Sequence, residues 1–172
     1  TIGNALRRVM LSSLPGSAIS AVKIEGALHE FQTLDGVVED VTTIILNLKG
    51  VVIKNHTEEN KIVTLDIKEE GTVTAGDIIC DADVEVINKD HVIANVAKGG
   101  HLAIEMLVTN GRGYVKSEDF KAMNDAKKKG YIAIDSIYSP IERVSFNVDS
   151  ARVGQDESYD KLVLEVWTNG SI

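Results

Sequence analysis

The stretch Gly36–Lys68, GVVEDVTTIILNLKGVVIKNHTEENKIVTLDIK, changes its apolar period part-way along, and that change sets the fold class. Val37, Val41, Ile44, Ile45 and Leu48 recur at helical spacing and share one face. Glu39 and Asp40 suit the positive first turn of that helix, and Lys49-Gly50 suits its end. Beyond Gly50 the pattern becomes two β-branched runs, VVIK and IVTLDIK, around the polar HTEENK, which predicts a hairpin. Helix and antiparallel strand therefore alternate in one chain, an α+β arrangement.

The same reading extends in both directions. Upstream, Thr1–Ser13 repeats Ile2, Ala5, Leu6, Val9 and Met10 with a 3.6 period, Thr1 serving as N-cap and Pro15-Gly16 as the stop. Residues 18–32 read as strand with a turn at Glu25-Gly26. Downstream, strands are predicted over Asp83–Ile87, His91–Val96 and Leu102–Thr109, then in YIAIDSIY (131–138), ERVSFNVDSARV (142–153) and KLVLEVW (161–167). Ser117–Lys129 has helix-forming residues but a thin apolar face of Phe120, Met123 and Ala126, so helix and surface excursion stay open.

The first helix is two-faced. Its apolar stripe lies opposite Asn4, Arg7, Arg8 and Leu11, and an apolar residue between arginines is a common recipe for a protein-docking face. A solvated arginine face is the plainer alternative.

Composition narrows the rest. With 172 residues, 44% hydrophobic, 26% charged and two prolines, the chain has the balance of a folded globular protein. A formal net charge of -8 disfavours direct DNA binding, because phosphate affinity comes from lysine and arginine. A single cysteine excludes an internal disulfide, and no run has membrane-spanning length or signal-peptide pattern, which leads to a cytoplasmic expectation with no membrane partner. The chain opens on a helix signal without Met and stops after a strand-like run, so it is expected to be cut at both ends.

Local catalytic and metal signatures are weak. Asp77, Asp81 and Asp83 in GDIICDAD could hold a divalent cation in a stand-alone enzyme, but the ligand spacing of a calcium loop is missing and turn-capping explains them better. His29, His56, His91 and His101 are scattered without zinc spacing. GRGY (111–114) lacks the GK[ST] ending of a phosphate loop and reads as a glycine turn after a strand. Neither catalytic residues, metal ligands nor a cofactor is assigned.

Seven segments in order, TIGNALRRVMLSSLPG, LHEFQTLDGVVEDVTTIILNLKG, GTVTAGDI, GRGYV, YSPIERVSFNV, ARVG and YDKLVLEVWTNG, resemble the N-terminal domain of the bacterial DNA-directed RNA polymerase alpha subunit. The resemblance spans nearly the whole chain. It implies a dimerisation subdomain from both chain ends (1–16 and 140–172) and an inserted, mainly antiparallel β-rich subdomain (17–139). It also implies a non-catalytic scaffold of a nucleotidyltransferase, whose alpha dimer nucleates assembly by binding the beta and beta-prime subunits. By that resemblance Arg7, Arg8, Leu11, His29 and Glu39 face beta, and Ser139, Ile141, Arg143 and Lys161 contribute to beta-prime contact, in a region including Tyr159. Ile2, Ala5, Leu6, Val9 and Met10 pack in the core or against a second alpha subunit. Family members carry a β segment before the first helix and a long helix after the last strand, so the apolar side of the first helix is expected to be underburied in this chain.

Overall fold

The computed structural model describes residues 2–117, 130–153 and 156–172, and side chains among these except at 149–153 and 156–160. The N-cap expectation at Thr1 and nearly all of the Ser117–Lys129 segment lie outside the described residues. In chain order come α1 (Ile2–Ser13), β1 (Pro15–Ile24), α2 (Val41–Lys49), β2 (Ile53–Asn55), β3 (Lys61–Ile67), β4 (Gly71–Thr74) and β5 (Val84–Val86). They are followed by β6 (Val92–Val96), β7 (Leu102–Arg112), β8 (Tyr114–Val115), β9 (Ile132–Ala133), β10 (Ser136–Ile137), β11 (Ile141–Val153) and β12 (Asp156–Thr168). Every pair of these strands is antiparallel, so the architecture is α+β.

The core is built on a four-stranded sheet ordered β3-β7-β1-β9. Along β7, Leu102, Ile104, Met106 and Val108 alternate inward, as the period-2 pattern requires, and meet Val63 and Leu65 of β3 and Val22 and Ile24 of β1. The sheet is covered by α2, which buries Val41, Ile44, Ile45 and Leu48. Asp40 caps this helix by accepting the Thr43 N–H at 2.8 Å, and the Gly50 and Val51 N–H groups close it on the carbonyls of Asn47 and Leu48 respectively. Because Asp40 is extended, the helix starts at Val41. Glu39 and Val37 therefore precede it instead of extending it, and Val37 bridges to Val96.

The predicted hairpin over residues 51–68 does not form. β2 pairs with β5 and β3 with β7, so the two runs belong to different sheets. Asn55 explains the divergence: its side chain accepts the Thr57 N–H and donates to the Glu59 carbonyl, while its own N–H is taken by Ser17 Oγ. The loop folds on itself and turns the chain toward β7. The strand read over 18–32 ends at Ile24 at the expected Glu25-Gly26 turn, where Gly26 has φ +88°, but residues 27–32 beyond the turn form no strand. β4, which pairs with β6, lies in a stretch with no strand assignment from its pattern.

At the other end, β11 and β12 form a long two-stranded ribbon from Ile141↔Thr168 to Val153↔Asp156, with a register shift near each end, between Ile141 and Arg143 and between Ala151 and Val153. Helix α1 packs on β11. Between ribbon and sheet, the buried Tyr138 hydroxyl shares a 2.6 Å hydrogen bond with Thr109, whose own hydroxyl donates to Ser20 at 3.0 Å. Its ring lies over Gly111, where a Cβ would come within 2.8 Å, and its carbonyl occupies the space of a Cβ on Gly16.

Candidate partner-docking surface

Where helix α1 packs on the ribbon, its one fully buried residue has no side chain. Gly3 is the buried position of the helix, and a Cβ there would stand 2.4 Å from the Phe146 ring. The apolar stripe is turned elsewhere: Ile2 is 74% exposed, Val9 55% and Leu6 37%, Ala5 is open, and Met10 is half-buried on the flank nearest Gly3. The expected underburied stripe is thus present. Arg7 and Arg8 are both exposed, and neither makes an ion pair among the described residues. Leu11 departs from the sequence reading, being half-buried where isolation between the arginines was expected. Gly3 escaped that reading, although a glycine inside a helix costs about 1 kcal/mol and so signals a packing reason.

The second candidate region is the segment from β1 to α2. His29 is exposed, and its Nδ1 accepts the Phe31 N–H at 3.1 Å. Glu39 is half-buried and committed internally, one carboxylate oxygen accepting the Asn95 backbone N–H at 2.7 Å and the other the Asn95 side-chain amide at 2.6 Å. Burial pushes this carboxyl up, but the two Asn95 donors outweigh burial and hold it below the ordinary glutamate range.

The third set lies on and before the ribbon. Arg143 is exposed with its guanidinium 4.6 Å from the centre of the Trp167 ring, a cation–π stack that fixes its direction. Lys161 is exposed and pairs in register with Asp149, six positions along from Arg143, so the two cations stand about 20 Å apart. Ser139 is half-buried, its Oγ accepting the Ile141 N–H at 3.3 Å, and Ile141 is 5% exposed. Ile141 therefore holds the start of the ribbon in the core, away from the surface that its neighbours line. The Tyr159 side chain lies outside the described residues.

The aspartates do what turns ask of them. Asp77 accepts the Thr74 N–H at 2.9 Å, Asp81 accepts the Asp83 N–H at 2.9 Å, and Lys61 lies 3.3 Å from Asp83. In GRGY, Gly111 belongs to β7 beneath Tyr138, and the turn itself is at Gly113, with φ +64°.

A family model described as the RNA polymerase Rpb3/RpoA insert domain matches residues 22–139, from near the end of β1 to the residue before Pro140. The chain belongs to this family. Proteins named DNA-directed RNA polymerase subunit alpha are similar over all 172 residues: 56% identical in Desulforamulus reducens, 54% in Moorella thermoacetica and 51% in Staphylococcus aureus strain Newman. In each, the match covers 54% of the relative, so the chain spans about half the length of the curated relatives it matches. The insert-domain match leaves α1 and the β11–β12 ribbon outside its bounds, whereas similarity to the alpha subunits includes both. Among the described residues, no helix is long and apolar enough to cross a membrane.

Proposed function

We propose that this chain is the assembly scaffold of a bacterial DNA-directed RNA polymerase alpha subunit. It contributes no catalytic residue and acts by holding the beta and beta-prime subunits. In this reading residues 1–16 and 140–172 form the dimerisation subdomain, and 17–139 are inserted into it. The observation that carries it is helix α1, held to the ribbon through Gly3 while its apolar stripe and its arginine pair both face solvent. A helix with two unpartnered faces of different chemistry is suited to two partners.

The arginine face, Arg7 and Arg8 with Leu11 at its edge, docks the beta subunit, joined by His29. Glu39 positions that surface through Asn95 more than it touches the partner. Arg143 and Lys161 face beta-prime, with Ser139 and the buried Ile141 setting the ribbon's origin. Ile2, Leu6 and Val9, with Ala5 and Met10, take the second alpha subunit. The names of the relatives support the complex, and the exposed arginines support the mode of docking.

The test is binding of purified beta subunit to full-length alpha carrying Arg8→Ala. Affinity is expected to fall about tenfold, equivalent to ~1.4 kcal/mol, with an unchanged circular dichroism spectrum. Unchanged binding by a folded variant overturns the docking role of α1.

A further inference from the structure

Asparagine is followed by glycine twice in the chain, at Asn110-Gly111 and at Asn169-Gly170. Such a pair carries its own reaction. With no Cβ on the glycine, its nitrogen can reach the asparagine Cγ and displace ammonia, provided that the backbone is free to turn and the side chain free to meet it. The fold meets that condition at one pair and denies it at the other.

Asn110 is exposed but locked. It lies in β7, where it pairs with Ser17 of β1 and Gly111 pairs with Gly16, so the ladder holds its backbone extended. Its amide is tied at both ends, Oδ1 accepting the Ser17 hydroxyl at 2.7 Å and Nδ2 donating to the Thr57 carbonyl at 2.6 Å. Asn169 is half-buried, yet it is the freer of the two. It follows the last residue of β12, and Gly170 turns the chain with φ +91°, a conformation that glycine adopts without strain. The Gly170 N–H rests on Thr168 Oγ1 at 3.3 Å, longer than an ordinary N–H···O bond, which leaves its proton open to water or hydroxide. Asn169 Oδ1 accepts the Ser171 N–H at 3.0 Å and the Ser171 hydroxyl at 2.6 Å. These two donors already point at the oxygen on which negative charge develops when Cγ is attacked.

We propose that Asn169 is a site of self-modification, at which the Gly170 nitrogen attacks Asn169 Cγ and converts the amide to aspartate and isoaspartate, while Asn110 keeps its amide. The Gly170 nitrogen gives its proton to solvent and forms a bond to Cγ. The bond from Cγ to Nδ2 breaks, Nδ2 takes up a proton from solvent, and ammonia leaves a cyclic imide behind. Water then opens the imide. Attack at Cγ yields aspartate, and attack at the main-chain carbonyl yields isoaspartate, in which the chain runs on through the side chain. Nothing is oxidised or reduced, and water is the sole co-reactant. Either product places a carboxylate where a neutral amide stood. It does so beside the 2.8 Å hydrogen bond from the Asn169 N–H to the Pro140 carbonyl, which fastens the end of the ribbon. The change needs no enzyme and accumulates with the age of the protein.

The experiment ages full-length alpha at neutral and mildly alkaline pH and follows both asparagines by mass spectrometry of its peptides, with enzymatic methylation of isoaspartate as a second readout. In the native protein Asn169 should convert at least about tenfold faster than Asn110, a ratio equivalent to ~1.4 kcal/mol of barrier. Its rate should rise with pH, because the Gly170 N–H must lose its proton. In the same protein unfolded in urea, the two asparagines should react at comparable rates, with Asn110 faster than in the native state and Asn169 no faster. Ser171→Ala, which removes the hydroxyl donor and keeps the N–H, should slow Asn169 at least about threefold. Equal rates at the two sites in the native protein, or an Asn169 that reacts more slowly when folded than in urea, overturn the site. An unchanged rate in folded Ser171→Ala overturns the part given to the Ser171 hydroxyl. The comparison of native with unfolded wild type decides the site itself without requiring any variant to fold.

Discussion

Gly16 and Gly3 look alike in sequence but are constrained by different things. A Cβ on Gly16 would stand 1.7 Å from the Tyr138 carbonyl oxygen, a backbone atom that cannot swing aside, whereas on Gly3 it would meet the Phe146 ring, which can tilt. Gly16→Ala is therefore expected to destabilise by at least ~2 kcal/mol and Gly3→Ala by less, measured by urea unfolding. Glu39 makes a prediction in pH. Its folded pKa is depressed, so the stability it adds is fully present above the unfolded glutamate value and is lost as pH falls through the folded one. Wild type should exceed Glu39→Gln in urea midpoint at neutral pH, and the difference should shrink as pH falls below the ordinary glutamate value of about 4.3. Equal midpoints at every pH would mean that Asn95 gains nothing from the charge. Of the residues proposed for docking, Arg7 and Arg8 could be recognised from spacing alone, because helix phase puts them opposite the stripe. Neither the commitment of Glu39 to Asn95 nor the burial of Ile141 could be read that way, since both depend on partners distant in the chain.

Among the elements, α2 was the most legible because everything that makes it is local: a capping aspartate, an apolar face and a closing glycine. Its weight lies in the face. Ile44→Ala, at a position with no exposure, should cost roughly 2–5 kcal/mol in equilibrium unfolding, while the equivalent change at the open Leu46 should be nearly silent. β2 and β3 show the opposite case. Their residues announce strand, but pairing is settled by Val84–Val86 and by β7, which no window of local sequence contains. The short turn between them suggested a hairpin, and the side-chain hydrogen bonds of Asn55 decided otherwise. The ribbon's two strands were visible one by one, but the pairing of two 13-residue strands into one ribbon was not.

For the whole molecule, the open stripe of α1 should govern behaviour in solution. The chain is expected to self-associate at micromolar concentration in sedimentation velocity, and Leu6→Glu/Val9→Glu should return it to monomer without loss of helix; a wild-type chain that stays monomeric would show that the stripe is tolerated in water. The contact between Gly3 and Phe146 also sets a timetable. On a ribosome adding about 5–20 residues per second, α1 waits roughly 7–30 s before its seat on β11 has been made. The sheet around β1 can close earlier, once β7 has emerged. During that interval α1 is made but not docked, so the nascent chain presents its arginines and apolar stripe to chaperones and to neighbouring nascent chains before it has a ribbon of its own to rest on.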